Sequence, residues 1–273
     1  MCDFSFEKVK PSSVDCLRKM QLNELKGPVQ DSIEEGIITY KADFVQILKG
    51  KEPIGYACIG TYEYYKDIVL EYFIIVKYRS NAGVIINQLA RHYKCKEWYV
   101  NTHDFFALPV MLELQLPFEV DAYKFANDES ISMDYKFENS VTLEVTKLEE
   151  LEEVYKLIMQ DGFYSGGGIE TLIPRIDVEE LYSLRVNGKL IGIGFIGVLM
   201  RTPDYADIAM IIDKNERHKG YGVLLVKALI TRCRLLSITP AAVCDVNNLA
   251  SRSTLQKAGF YLDGCILVSR FEL

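Results

Sequence analysis

The sequence predicts an α/β (α+β) chain built from two tandem copies of one domain. Three observations carry this prediction. Strand-like and helix-like runs alternate in the second half in an order that weaker runs of the first half repeat. Asn187-Gly188 sits between two strand-like runs. A strand, a glycine turn and an apolar helix follow one another without interruption from Ala206 to Arg234.

The second half is the clearer one. "VTLEVTKL" alternates as a strand does, and the next run places Leu148, Leu151, Val154, Tyr155, Leu157 and Ile158 near helical spacing. "DGFYSGGGIETLIPRI" follows as a loop, because Gly166, Gly167 and Gly168 are costly in regular structure. "LYSLRVNGKLIGIGFIGVLM" reads as a hairpin, since Asn-Gly between alternating runs favours the two-residue turn that matches strand twist. "ADIAMIID" is a further strand. A helix from about Gly222 to Arg234, a strand "AAVCDV", a helix from Asn248 to Ala258 and a closing strand "CILVSRFEL" complete the series.

The first half repeats this order. "FVQILKGKEPIGYACIGTY" resembles the hairpin, "IVLEYFIIVKYRSNAGVIINQLARHY" the strand, turn and helix, and "EWYVNTHD" the strand "AAVCDVNN". Pairing Gly83 with Gly222 without gaps sets Asn81 opposite Gly220 and Tyr78 opposite Arg217, so the glycine pattern is lost from the first copy. The polar stretch Phe125 to Asn139 is the expected boundary, giving domains at 1–130 and 138–273.

Composition excludes several classes of function. With 49% hydrophobic and 25% charged residues over 273 positions, the chain has a globular composition and an ample core. A net charge of −7 without a long basic cluster argues against a nucleic-acid partner. No run reaches the length of uncharged residues that a membrane span needs, and "MCDFSFEKVKPSSVDCLRKM" lacks a signal-peptide core, so a cytoplasmic protein without a membrane partner is expected. Seven scattered cysteines without a CxxC pair read as reduced, packed thiols, and with three histidines no metal centre is expected.

"NERHKGYGVLLVKALI", Asn215 to Ile230, is the stretch with the most specific chemistry. The first amides of a helix lack intrahelical acceptors, and aligned peptide dipoles leave partial positive charge there. Gly220 and Gly222 allow an anion to approach the backbone, and Arg217, His218 and Lys219 bring positive charge. On these residues alone, an ordinary solvated glycine turn explains the stretch equally well.

The spacing Arg217-x-x-Gly220-x-Gly222 after an apolar strand resembles the pyrophosphate loop of the GCN5-related N-acetyltransferases. The Asn-initiated helix "NLASRSTLQKAGF", with Asn248 eleven residues before Gly259, resembles that family's next element. The resemblance covers about Val141 to Leu273 well and the first half as a degraded repeat. It implies two tandem domains, each a mixed, mostly antiparallel sheet flanked by helices, with one cofactor-competent copy. It implies acetyl-CoA as cofactor, with backbone groups of Ile211 and Ile212 pairing with the pantetheine arm. Amides of Arg217, His218, Lys219, Gly220, Tyr221, Gly222 and Val223 would hold the pyrophosphate. Asn248 and Ser251 would line the pantetheine channel, although Asn248 is equally a helix N-cap and Ser251 a small packing residue. The implied reaction is direct transfer of an acetyl group in a ternary complex to an amine of a small molecule or an amino terminus.

The sequence departs from the family's commonest arrangement at two positions. Leu255 stands where many members carry a tyrosine acid, and Ala206 stands where a glutamate base is often found. Asp207 is the adjacent carboxylate, and strand alternation points it to the opposite face from Ala206. It is the candidate base, against a solvated strand-end carboxylate. Cys244 and Asp245 read as a packed thiol and a strand-end cap. Tyr164, Ser165, Glu170 and Arg175 occupy the loop where the family recognises acceptors, and are candidate substrate contacts. The missing acid and base also support a different reading, a non-catalytic acyl-CoA-binding or regulatory module.

Overall fold

A computed structural model describes residues 4–25, 27–29, 34, 37, 42–62, 65–130, 140–161 and 168–272. The chain divides into two compact units, Met1–Tyr123 with Gly264–Leu273, and Lys124–Asp263. This differs from the expected domains 1–130 and 138–273 at both ends. Ile266–Arg270 pair antiparallel with Glu97–Asn101, so the last residues of the chain complete the first unit's sheet.

The first unit contains β1 (Phe4–Val9), α1 (Asp15–Glu24), β2 (Asp43–Lys49), β3 (Glu52–Ile59), β4 (Ile68–Ile74), α2 (Ala82–Tyr93), β5 (Glu97–Asn101) and α3 (Ala107–Glu113). Its strands run in the order β1-β2-β3-β4-β5 and are antiparallel except for β4 with β5. That parallel pair is short, covering Ile68↔Glu97 and Val69↔Trp98. Tyr56, Tyr72, Phe73 and Trp98 are fully buried at the centre of the core. The strand β6 (Phe118–Asn127) then leads into the second unit.

The second unit contains β7 (Val141–Val145), α4 (Leu151–Ile158), α5 (Ile173–Asp177), β8 (Leu181–Val186), β9 (Lys189–Val198), β10 (Tyr205–Ile212), α6 (Tyr221–Leu235), β11 (Thr239–Asp245), α7 (Leu249–Lys257) and the start of β12 (Phe260–Arg270). Its strand order is β11-β10-β9-β8-β7, with β6 beside β11. Asn187 and Gly188 close the β8–β9 hairpin with φ of 50° and 79°, the two positive values that the turn requires. Val154, Leu157 and Ile158 of α4 pack with Leu172, Ile176 and Ile193 as their spacing predicts. Leu148 is exposed, because it opens a separate 3-10 turn before that helix.

Candidate functional site

The site grows out of β10. On one side this strand pairs with β9 from Ala206 to Ile212, but its parallel ladder with β11 covers only Tyr205, Ala206 and Asp207. From Ile208 onward the two strands part, which leaves one backbone edge of β10 without a strand partner among the described residues. Ala209 is exposed at the parting, and Met210, Ile211 and Ile212 are half-buried although apolar. The equivalent strand β4 is buried along its whole length.

Register assigns the two faces of β10. Ile212 and Met210 lie opposite Gly192 and Gly194, and a side chain at Gly194 would strike Leu225 and Leu229 of α6. Even-numbered residues therefore face α6, and Ala206 is fully buried among them. Asp207, Ala209 and Ile211 lie opposite Gly197, Phe195 and Ile193 on the other face, where Phe195 and Ile211 pack against the α4–α5 core. Arg175 of α5 lies over the Phe195 ring at 4.8 Å and pairs with Glu180 at 3.3 Å. Asp207, Arg175 and the exposed Ala209 thus share one face. Glu170 is exposed, and Tyr164 and Ser165 fall outside the described residues.

At the C-terminal end of β10 the chain makes a 3-10 turn, Lys214–Glu216, capped by the Asp213 carboxylate. Hydrogen bonding to the Asn215 amide holds that carboxylate below the usual range. Arg217 donates its Nε to the Ile212 carbonyl at 3.0 Å, and Lys219 pairs with Glu216 at 2.7 Å. Both basic side chains thereby brace the turn. Gly220 follows with φ 88°, a left-handed conformation that L side chains rarely adopt, and a Cβ there would meet no atom within 4 Å. It precedes the first residue of α6, whose first turn carries neither a side-chain cap nor an acidic residue. The first amides of this helix therefore have no side-chain cap at its N-terminus. Gly222 has a different reason for being glycine, since a Cβ there would press on Thr254 of α7 at 3.3 Å.

The start of α7 adjoins this loop. Asn248 accepts the Ser251 amide on Oδ1 at 3.0 Å, so its N-cap role is realised. The Cys244 thiol donates to the Asn248 carbonyl at 3.3 Å, and burial pushes its pKa up, which keeps it a protonated thiol rather than a nucleophile. Leu255 points into the core with 2% exposure.

The same bonds correct the pairing of the two copies. Arg79 donates Nε to Ile74 just as Arg217 does to Ile212, so Arg79, not Tyr78, is its counterpart. The first copy's turn is one residue shorter before its helix. Asp104 likewise stands where Asn248 does, since each amide bonds the carbonyl three residues back and each Oδ1 caps the amide three residues on. What differs is the space. Phe106 is buried between Tyr72 at 5.5 Å and Phe73 at 5.8 Å, and Arg79 lies over it at 4.7 Å while pairing with Glu24 at 2.6 Å. Glu71, at the position of Ala209, is held by two bonds of 2.9 Å from Arg18.

One residue of the second unit escaped the sequence reading. Lys124 on β6 is 3% exposed, and burial lowers its pKa to about 8 against the opposing influence of Asp263 and Asp207. The signal was present in "AYKFA", where alternation sets Lys124 on one face with Ala122 and Ala126.

Residues 11–128 match the model of an acetyltransferase (GNAT) domain, and residues 149–260 that of the acetyltransferase (GNAT) family. A comparison with curated protein sequences gives no match. Among solved structures, the chain is similar to an acetyltransferase from the GNAT family of Colwellia psychrerythraea, with TM-score 0.86 and 16% identity over 98% of this chain and 100% of that one. It is similar to a GCN5-related N-acetyltransferase from Sphaerobacter thermophilus, with TM-score 0.68 and 12% identity over 98% and 95%. It is also similar to a tandem GNAT protein from the clavulanic acid biosynthesis pathway, with TM-score 0.65 and 13% identity over 98% of each chain. No helix among the described residues is long and apolar enough to cross a membrane.

Proposed function

We propose, for a chain that belongs to the GNAT acetyltransferase family as a tandem protein, that its second unit binds acetyl-CoA and transfers the acetyl group to an amine of a small molecule or an amino terminus. The observation that carries this reading is the contrast between the two parted strand pairs. β10 and β11 part onto an exposed Ala209 and lead to the uncapped N-terminus of α6, whereas the corresponding space in the first unit holds Phe106. A phosphate group fits the amides around Gly220, since no acidic side chain of that helix turn competes for them.

Acetyl-CoA supplies an activated acetyl thioester. The chain's own residues then have three tasks. The open edge of β10 would hold the pantetheine arm through backbone groups of Met210 and Ile212. Ile211, opposite Ile193, turns its backbone groups to β9, which corrects its expected role. The amides from Arg217 to Val223 would hold the pyrophosphate. Asn248 and Ser251 bound the far side, with the Asn248 carbonyl and cap already fixed by α7. Asp207, at the last paired position before the strands part, takes the proton from the acceptor's ammonium. A lysine-like amine with pKa about 10.4 is almost wholly protonated at neutral pH, so a proton acceptor is needed. The acceptor enters from the α5 face, where Glu170 and Arg175 are the described candidates to contact it.

Calorimetry with acetyl-CoA and thiol release over a panel of amines test this reading together. The expected result is saturable binding and turnover on at least one amine. Gly220→Val should abolish binding, because a β-branched residue strains the left-handed turn at φ 88° and its Cβ enters the space an anion would take, with circular dichroism checking that the fold survives the local strain. Unchanged affinity in that variant would remove the anion-loop assignment, and tight binding without turnover on any amine would make the chain a non-catalytic acyl-CoA-binding module.

A further inference from the structure

The internal repeat shows what chemistry suits the space in front of Ala209. In the first unit one row of side chains crosses the sheet from Phe44 on β2 through Cys58 on β3 to Glu71 on β4. The same row in the second unit runs from Leu181 on β8 through Phe195 on β9 to Ala209 on β10. Arg18 of α1 lies over the Phe44 ring at 5.4 Å and gives the buried Glu71 carboxylate two bonds of 2.9 Å. Arg175 of α5 lies over the Phe195 ring at 4.8 Å, and Ala209 is the register partner of Phe195. Each unit thus lays a guanidinium on an aromatic ring of this row. Beside it the first unit places a carboxylate of its own strand, and the second places an exposed methyl group.

Arg175 also pairs with Glu180 at 3.3 Å, and that pair does not close it to a second carboxylate. A guanidinium carries several N–H donors in a planar fork. Arg18 realises such sharing, since it bonds Glu34 at 2.7 Å while it holds Glu71. The opposite charge lies on the same face of the second unit. Asp207 is diagonal to Phe195 across the β9–β10 ladder, a separation of about 7 Å between side-chain origins. A ligand that meets Arg175 with a carboxylate and Asp207 with an ammonium therefore carries its two charges only a few bonds apart.

We propose that the acceptor is an amino acid, its carboxylate bound by Arg175 as Glu71 is bound by Arg18, and its amine turned to Asp207. This rests on the transferase reading of the second unit and narrows its acceptor, because the amino terminus of a long peptide has no carboxylate within that span. Arg175 is then a specificity-determining residue. A charge-assisted, forked pair of this kind is worth a selectivity of about 10- to 100-fold over an acceptor that lacks the carboxylate.

Two measurements test the proposal, with the common α-amino acids and β-alanine as probes, each beside its carboxamide. The first needs no cofactor. The Nε–H resonance of Arg175, assigned by its loss in Arg175→Lys, should shift when the wild-type chain is titrated with at least one free amino acid, and should not shift with the matching carboxamide. No shift with any free acid, or an equal shift with acid and carboxamide, overturns the proposal. The second is kcat/KM from thiol release with acetyl-CoA. The wild type should prefer a free acid over its carboxamide by about 10- to 100-fold, and Arg175→Gln should erase that preference through KM. Arg175→Lys, which keeps the charge and loses the fork, should retain part of it. A loss shared equally by acid and carboxamide would make Arg175 a structural residue and overturn the proposal. A wild type that accepts both alike overturns it whether or not the variants fold. Failure of the transferase reading looks different, since the wild-type chain would then release no thiol on any amine while the Arg175 resonance still answered to a free amino acid.

Discussion

Single side chains decide what the second unit's site can do, and Leu255 is the plainest case. Its place in the helix "NLASRSTLQKAGF" matches that of a tyrosine acid, yet it is 2% exposed and packed inward. Leu255→Tyr would force an extra ring and a hydroxyl into a filled space, so we expect a loss of about 1–3 kcal/mol in stability and no gain in turnover. Urea denaturation and thiol release on the same variant check both halves, and a large gain in rate would show instead that thiolate departure limits the enzyme. Asp207 shows how far one residue's facing was legible. Alternation alone set it opposite Ala206, as the register of β10 has it, but which face was core depended on Leu225 and Leu229 of α6. No spacing within β10 carries that information.

At the level of elements, the two copies keep one plan and fill it differently. The hairpins, the strand-turn-helix unit and the Asn-initiated helix were all readable, because turn chemistry and helical spacing are local signals. The equivalence of the loops was not readable. A one-residue shortening between Arg79 and α2 shifts a gapless pairing by one position and hides Arg79 behind Tyr78. Once it is restored, Glu71 falls on Ala209 and Asp104 on Asn248, and the difference between the copies becomes one of filling. In the first copy Phe106 and Tyr72 close the space between β4 and β5, with Trp98 edge-on to Tyr72 at 5.6 Å. Phe106→Ala should therefore cost about 3–5 kcal/mol in the first unit, measured by denaturant unfolding. The variant should bind acetyl-CoA in the second unit as the wild type does, and a fall in that affinity would contradict the assignment of binding to the second unit.

For the whole chain, the consequence of two copies with one open cleft is a binding stoichiometry. Both copies retain an arginine that braces the strand end, so the count cannot be settled by asking which loop is basic. In the first, Arg79 is committed to Glu24 and to the faces of Phe73 and Phe106, and Glu71 to Arg18, which leaves apolar and ion-paired groups where an anion and a pantetheine arm would have to enter. Displacing them would expose Phe106 and break a buried pair between Arg18 and Glu71, a change that costs several kcal/mol. In the second, a Cβ at Gly220 would meet no atom within 4 Å and the first turn of α6 carries no side-chain cap. One acetyl-CoA per chain is thus expected by titration calorimetry of the wild-type protein, and none for Gly220→Val. Two sites in the wild type would place a second cofactor in the first unit and show that Phe106 yields to it.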